Sequence, residues 1–256
     1  MRISMSQRLT ILGTPISPYV RKILAILDLK RIDYDIDPIV AFFTDEEFLK
    51  LNPLRRIPVL IDGDTTIVDS SVIAAYLEDK FPQPSILPSS PADRAKARWL
   101  EEFADTRMAD IFLWRCFNAV VLKPGLWGEE RDLDGFRATL AGPVVEIMNW
   151  LEGEAPAEGF LFGVIGLADI SVAVMFRNMR YARWTPDEKR WPKAAAWIER
   201  TEAHPALARS TAWADGMIKT PVPEQRAKAR DLDIPLTEKS YLVDGPPRRG
   251  PMTAAI

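Results

Sequence analysis

Apolar and polar positions alternate with two different periods in the first third of the chain. RLTILG, residues 8–13, is a short β-type run, and a helix with Pro18 in its first turn is predicted to extend to about Lys30. The segments that follow are IDYDIDPI, a strand; TDEEFLKLN, a short helix; IPVLI and TTIV, a hairpin turned by DGD; and SSVIAAYLEDKF, a helix. The order β-α-β-α-β-β-α predicts a compact α/β domain over residues 1–81.

A proline-rich stretch separates this domain from a helical one. Four prolines and three serines lie within FPQPSILPSSPAD, residues 81–93, so we expect a linker at 82–91. Strand patterns nearly vanish beyond it, and apolar residues with helical spacing include Leu100, Phe103, Ile111 and Trp114. Further helices are predicted at 133–152, 167–181 and 191–203, which makes residues 92–217 an all-α bundle. Residues 218–256 mix prolines with both charge signs and are expected to form a tail outside the fold.

Composition excludes several functional classes. The 256 residues are 47% hydrophobic and 27% charged, with a formal net charge of −3, which gives no general attraction for nucleic acid. No apolar stretch approaches the roughly 20 residues that span a bilayer, and MRISMSQRLT lacks the apolar core of a signal peptide. We therefore expect a cytoplasmic protein without nucleic-acid or membrane partners.

The chain has one cysteine and one histidine, which limits its metal and nucleophilic chemistry. A single Cys116 cannot form an internal disulfide, and structural zinc usually takes four Cys or His ligands, so no metal is expected. Cys116 lies in a helical apolar pattern and is interpreted as buried. His204 precedes a proline, which is typical of a helix end, and is interpreted as structural.

Three local motifs resemble the glutathione transferase family, and they occur in the expected order over roughly residues 8–215. SPYVRKILAIL is similar to the serine-class signature, especially its tau-like form. NPLRRIPVLIDGDTTIVDSSVIAAYLE resembles the glutathione-binding stretch, and RWPKAAAWIERTEAHPAL is similar to a late helix of the second domain. The resemblance implies a thioredoxin-like first domain, a helical second domain, glutathione as cosubstrate, and a homodimer.

The resemblance also implies residues that bind glutathione. The Ile57–Pro58 bond would be cis, which would turn the main chain of Val59 toward an extended peptide that pairs with it as an added strand. Ser70, at a helix N-terminus, would bind the γ-glutamyl carboxylate, and Asp69 would accept from the α-amino group. Arg56 would attract the glycyl carboxylate, although a lone arginine is also typical of a solvated surface.

The chemistry implied is activation of the glutathione thiol for attack on an apolar electrophile. Ser17 is expected both to cap the first helix and to donate to the thiolate, and Thr14 is the rival hydroxyl in the same turn. Met108, Ile111, Phe112 and Arg115 are candidates for the wall of the second-substrate pocket, with bundle core as the equal alternative.

Other functions stay open at this point. Ether cleavage, dehalogenation, isomerisation or peroxide reduction could replace conjugation, and a module that binds without turnover is also compatible with this fold. Serine at position 17 argues against thiol–disulfide exchange, because no protein sulfur is there to form a mixed disulfide. The sequence GVIGLADISVA places Gly166 where the family usually has Ser or Thr three residues before Asp169.

Overall fold

The computed structural model describes residues 8–249, which form two units. Of the described residues, one unit contains 8–84 together with 209–249, and the other contains 85–208. Most of the stretch tested for a signal peptide, residues 1–7, lies outside the described residues, as does the end of the expected tail, residues 250–256.

A four-stranded mixed sheet forms the first unit. Its strands are β1 (Leu9–Leu12), β2 (Tyr34–Asp37), β3 (Val59–Asp62) and β4 (Thr65–Val68), in the order β2-β1-β3-β4. β1 is parallel to β2 and antiparallel to β3, which forms a hairpin with β4. The helices are α1 (Pro18–Lys30), α2 (Glu46–Leu51) and α3 (Ser70–Lys80). This order confirms the predicted thioredoxin-like fold.

The second unit is helical, which confirms the predicted class of the second domain. α4 (Pro91–Phe103) continues into a π-helical stretch, Ala104–Leu122, and the remaining helices are α5 (Lys123–Trp127), α6 (Leu133–Ala141), α7 (Pro143–Glu154), α8 (Leu167–Tyr181), α9 (Pro192–Ala203) and α10 (Pro205–Met217). α10 extends past Ala208 into residues assigned to the first unit. In residues 8–249, no helix is both long and apolar enough to cross a membrane.

One predicted helix is wrong in its extent. The continuous helix expected at 133–152 is divided into α6 and α7 at Gly142–Pro143. Pro143 has no N–H to donate within a helix and its ring clashes with the preceding turn, so the chain begins a new helix there.

Gly166 at the start of α8 has a steric reason. A Cβ at this position would lie 2.8 Å from the carbonyl oxygen of Ile86, whose own partner is the N–H of Leu167. The carboxylate of Asp169 accepts from the N–H of Gly166 at 3.0 Å and from Nε1 of Trp197 at 2.8 Å. The indole of Trp197 and the main chain therefore satisfy this buried carboxylate, and its bond from Gly166 keeps the half of the capping box that needs no hydroxyl.

The described part of the segment expected to be a tail outside the fold, residues 218–249, belongs to the first unit. It forms a 3₁₀ turn (Val222–Glu224) and α11 (Gln225–Asp231), and then runs beside β2. The N–H of Ile36 donates to Pro235 at 2.6 Å, and the carbonyl of Ile36 accepts from Thr237 at 3.1 Å. We call residues 222–249 the C-terminal strap. Its contacts include main-chain hydrogen bonds and ion pairs, which apolar periodicity does not detect.

Candidate functional site

The register of the sheet brings three candidate segments to one end of it. Val59, the first residue of β3, pairs with Leu12 on one side and with Val68 on the other. Leu12 ends β1 and leads into the turn of residues 13–17, and Val68 ends β4 and leads into Asp69. The residues expected to activate the thiol and to bind the peptide therefore lie next to adjacent strand ends, after β1 and β4 and before β3.

The turn of residues 13–17 is held by main-chain hydrogen bonds. The N–H of Gly13 donates to Asp37 and the N–H of Thr14 donates to Ile39, both at 2.8 Å. Gly13 has φ +147°, and a Cβ there would lie 2.6 Å from Cγ2 of Val20, so no other residue fits without rearrangement. The turn closes with the N–H of Ser17 donating to the carbonyl of Thr14 at 3.0 Å.

Ser17 occupies the N-cap position of α1, but its side chain makes no capping hydrogen bond. The predicted capping role of its hydroxyl is therefore wrong, and Pro18 begins the helix without it. Ser17 is half-buried, whereas Thr14 is only 4% exposed. Of the two rival hydroxyls, that of Ser17 is the more accessible at the helix N-terminus.

The loop before β3 contains two arginines with different surroundings. Arg55, with φ +49°, donates to the carbonyl of Thr44 at 3.1 Å and forms an ion pair with Glu46 at 2.6 Å. Arg56 is exposed and forms no ion pair within residues 8–249, although its carbonyl accepts from the buried Asn52 side chain at 2.9 Å. The Ile57–Pro58 bond that follows is cis.

Asp69 and Ser70 lie at the start of α3. Asp69 is the N-cap, and its Oδ1 accepts from the N–H of Ser71 at 2.9 Å and more weakly from that of Val72 at 3.4 Å. Its φ of +75° is a conformation that costs energy in a residue other than glycine, and such residues cluster at functional sites. Asp69 is exposed, whereas Ser70 is buried as the first helical residue.

Comparisons with known proteins agree with the resemblance of the motifs. Residues 12–85 match the model of the glutathione S-transferase N-terminal domain, and residues 131–200 match that of the C-terminal domain. Glutathione S-transferase U13 of Arabidopsis thaliana is 31% identical over 215 residues, which cover 77% of this chain and 87% of that protein. The chain belongs to the glutathione S-transferase family.

Further relatives span both units of this glutathione transferase. Glutathione S-transferase U17 of Arabidopsis thaliana is 34% identical over 210 residues, which cover 79% of this chain and 89% of that protein. The crystal structure of a glutathione S-transferase from Rhodospirillum rubrum F11 superposes with a TM-score of 0.72 at 27% identity, covering 79% of this chain and 91% of that one.

The candidate second-substrate residues of this transferase fall into two groups. Met108, Ile111 and Phe112 are fully buried, and the Phe112 ring lies 5.1 Å from that of Phe176, within the helical unit. Arg115 is exposed and pairs with Asp110 at 2.8 Å. The contacts of Phe112 favour the bundle-core interpretation for that residue.

The single cysteine and histidine have structural surroundings. Burial raises the pKa of the Cys116 thiol to about 12, so this thiol is a poor nucleophile at neutral pH. His204 ends α9, its Nδ1 accepts from the N–H of Ala206 at 3.2 Å, and its ring lies 5.9 Å from that of Phe160. Partial burial lowers the pKa of this imidazole. Within residues 8–249, no cluster of His, Cys, Asp or Glu could hold a metal ion.

Sequence reasoning missed one residue that supports the turn. The guanidinium of Arg21 is buried and donates to the carbonyls of Pro15 at 2.7 Å and Ile16 at 2.8 Å, directly before Ser17. The available signal was a charged residue inside the apolar run of α1, where burial requires hydrogen-bonded partners. Lys22 is similarly buried, with its Nζ 3.5 Å from Oγ of Ser71.

Proposed function

We propose that this transferase activates the glutathione thiol with the Ser17 hydroxyl and adds it to an apolar electrophile. The observation that supports the proposal is the Ser17 hydroxyl at the start of α1, which makes no capping hydrogen bond and belongs to a half-buried residue. Because the helix N-terminus carries a partial positive charge, an anion beside Ser17 is stabilised by the hydroxyl and by the helix together.

The chemical step follows from thiol acidity. A free thiol has a pKa near ~8.5 and is mostly protonated at neutral pH, while the thiolate is the nucleophile. A hydrogen bond donated by Ser17 favours the anion, so the thiol loses its proton to solvent and the sulfur forms a bond to the electrophilic carbon. The electron pair of the broken bond leaves with the departing group, or stays on the substrate when the reaction is an addition. Serine needs no change of its own protonation in this step.

The rest of glutathione would be bound by the residues at adjacent strand ends. The main chain just before β3, at Ile57, would pair with the cysteinyl residue of the peptide, because Val59 already lies between β1 and β4. Ser70 and the N-terminus of α3 would bind the γ-glutamyl carboxylate. Asp69 uses Oδ1 for the helix cap, which leaves Oδ2 to accept from the α-amino group, and Arg56 is an exposed cation suited to the glycyl carboxylate.

The electrophile, the assembly and the location belong to the same proposal. We infer that the second substrate is apolar and contacts residues among Met108, Ile111, Phe112 and Arg115, with Arg115 the most accessible of them. We also infer a cytoplasmic homodimer, by analogy with the family. A panel of aryl halides, epoxides, aryl ethers and hydroperoxides assayed with glutathione distinguishes conjugation from the alternative reactions.

Titration of the bound thiol tests the activation step. We expect the ultraviolet absorbance of thiolate to show that the glutathione thiol bound to the wild-type enzyme titrates at least one pH unit below the free value of about 8.5. The same titration with S-methyl glutathione, which has no ionisable thiol, is the blank. If the bound thiol has the same pKa as the thiol of free glutathione, the protein does not activate the thiol.

The substitution Asp69→Asn tests the binding site. Asn keeps an oxygen that can accept from the N–H of Ser71 but loses the charge, so we expect the melting temperature to change little while glutathione binds more weakly. A hydrogen bond to a charged group contributes about 1.5 to 3 kcal/mol, which corresponds to a loss of roughly ten- to a hundredfold in affinity. Calorimetric titration measures it, with Asp64→Asn in the β3–β4 turn as the matched control. If both variants bind glutathione with equal affinity, Asp69 is not part of the binding site.

A further inference from the structure

A buried carboxylate at the end of β2 is the anchor of the C-terminal strap. Asp37 is 1% exposed, and its Oδ1 accepts from the Arg226 guanidinium at 3.0 Å and from the Ser240 hydroxyl at 2.7 Å. Its Oδ2 accepts from the N–H of Tyr241 at 2.7 Å. Burial raises the pKa of this carboxyl, and the hydrogen bonds from Ser240 and Tyr241 and the charge of Arg226 act against that rise. Every partner of the side chain named here comes from the strap.

The main-chain carbonyls of Asp37 and Ile39 support the turn that carries Ser17. The carbonyl of Asp37 accepts from the N–H of Gly13, and the carbonyl of Ile39 accepts from the N–H of Thr14, both at 2.8 Å. Three residues therefore connect the strap to the turn: side-chain bonds attach Asp37 to the strap, and main-chain bonds attach residues 37–39 to the turn.

Apolar contacts reinforce the same connection. Ile39, Leu12, Val59 and Phe48 form one buried cluster, and Tyr241 and Leu242 of the strap pack against it. The Tyr241 ring lies 6.3 Å from that of Phe48 in an edge-to-face arrangement. Two of these cluster residues, Leu12 and Val59, are the paired strand ends from which the proposed glutathione site is built.

The strap also contacts the loop that leads toward Arg55. The N–H of Val243 donates to the carbonyl of Phe43 at 2.9 Å, and that of Arg248 donates to Phe42 at 2.8 Å. The side chain of Arg248 shares the carboxylate of Glu46 with Arg55, at 3.0 and 2.6 Å respectively. The strap is therefore bonded to the segment between β2 and α2 and to the first residue of α2.

We propose that Asp37 is a positioning residue for catalysis, through which the C-terminal strap fixes the turn of residues 13–17 and hence the Ser17 hydroxyl. This inference rests on the proposed role of Ser17. The strap does not touch substrate in this mechanism. It restrains residues 37–39, which set where Gly13 and Thr14 place the start of α1. A small displacement of a catalytic group can reduce turnover by up to about a hundredfold.

Two arginine substitutions separate positioning from general stability. Arg226→Met removes the cation from Asp37, while Arg209→Met removes the cation from Asp28, a carboxylate that is also mostly buried. Asp28 lies ten residues after Pro18, the start of α1, and therefore roughly 15 Å along the helix from that end. Both variants remove a C-terminal arginine from the first unit, but Arg226 bonds Asp37, whereas Arg209 bonds Asp28 and the hydroxyl of Tyr34 at the other end of β2.

We expect Arg226→Met and Arg209→Met to differ in the properties of the glutathione site, and not only in stability. In Arg226→Met we expect kcat for glutathione conjugation to fall about tenfold, the pKa of the bound thiol to rise, and the amides of Gly13 and Thr14 to exchange hydrogen faster. In Arg209→Met these three quantities should stay at wild-type values while the melting temperature falls. Ser240→Ala, which removes one bond to Asp37, should show the Arg226→Met pattern more weakly.

The outcomes distinguish this inference from the proposal on which it rests. If Ser17→Ala raises the pKa of the bound thiol and neither Arg226→Met nor Ser240→Ala does, the positioning role is wrong while the catalytic serine stands. If Ser17→Ala leaves that pKa unchanged, the proposed function itself fails. Unchanged exchange at Gly13 and Thr14 in Ser240→Ala and Arg226→Met overturns the link between strap and turn. Should Arg226→Met fail to fold, the exchange and thiol titration of Ser240→Ala decide the inference.

Discussion

Replacing Ser17 by Ala is expected to lower turnover at neutral pH by roughly ten- to a hundredfold, because a hydrogen bond to a charged group contributes about 1.5 to 3 kcal/mol. The hydroxyl stabilises the thiolate and therefore lowers the thiol pKa, so its removal raises that pKa by about one to two units. The thiolate fraction, and with it the rate, should then recover as the pH rises through the new pKa. Steady-state kinetics across pH and a direct thiol titration measure the effect.

The stability of the same variant provides a check on the structure. The Ser17 side chain makes no capping hydrogen bond, so Ser17→Ala should melt close to wild type and not with the loss of about 1 kcal/mol that removal of a cap causes. Thr14→Ala is the matched control, since Thr14 lies in the same turn but is nearly fully buried. If Thr14→Ala abolishes turnover while Ser17→Ala remains active, the activating hydroxyl is that of Thr14.

The local sequence pattern predicted most of the fold, because residues at the ends of most helices and strands mark where these elements begin and end. The first seven elements occur in the predicted order, and α8 was predicted with the bounds at which the structure has it, Leu167–Tyr181. The error at α6 and α7 came from extending an apolar period across Gly142–Pro143, where proline chemistry takes precedence. The strap was missed for another reason. Its position depends on partners such as Asp37, about 190 residues earlier in the chain, and no local period reports such pairs.

The candidate site was predictable to the extent that it depends on motif and strand order. The strand ends at Leu12, Val59 and Val68 lie side by side. The segments that follow Leu12 and Val68 and the segment that precedes Val59 are therefore neighbours once the strand order is known. The state of individual side chains was not predictable. The absent capping bond of Ser17 and the guanidinium of Arg21 under its turn depend on side-chain rotamers and on burial. A charge inside an apolar helical run was the one local sign of Arg21.

Removing the C-terminal segment after Ile218 is expected to lower the melting temperature substantially. The truncation leaves Asp37 without Arg226, Ser240 and Tyr241, and uncovers the apolar cluster on which Tyr241 and Leu242 pack. Hydrogen bonds to a charged group contribute about 1.5 to 3 kcal/mol each, and each kcal/mol lowers the melting temperature of a chain of 150–250 residues by about 2–4 °C. We therefore expect a decrease of roughly 6 °C or more by scanning calorimetry.

A chain that ends at Arg249 keeps every strap contact described above and is the reference for this comparison. A second truncation, after Asp233, keeps α11 and the Arg226 side chain but removes the main-chain pairing of Pro235–Thr237 with β2 and the bonds from Ser240 and Tyr241. It should melt between the other two, because Asp37 then retains its cation but loses two of its three hydrogen bonds. If the chain truncated after Ile218 has the same melting temperature as the reference chain, residues 222–249 contribute nothing to the stability of the fold. The expectation that this segment is a tail outside the fold is then right. A graded loss across the three chains would instead show that both α11 and the segment after it stabilise the first unit.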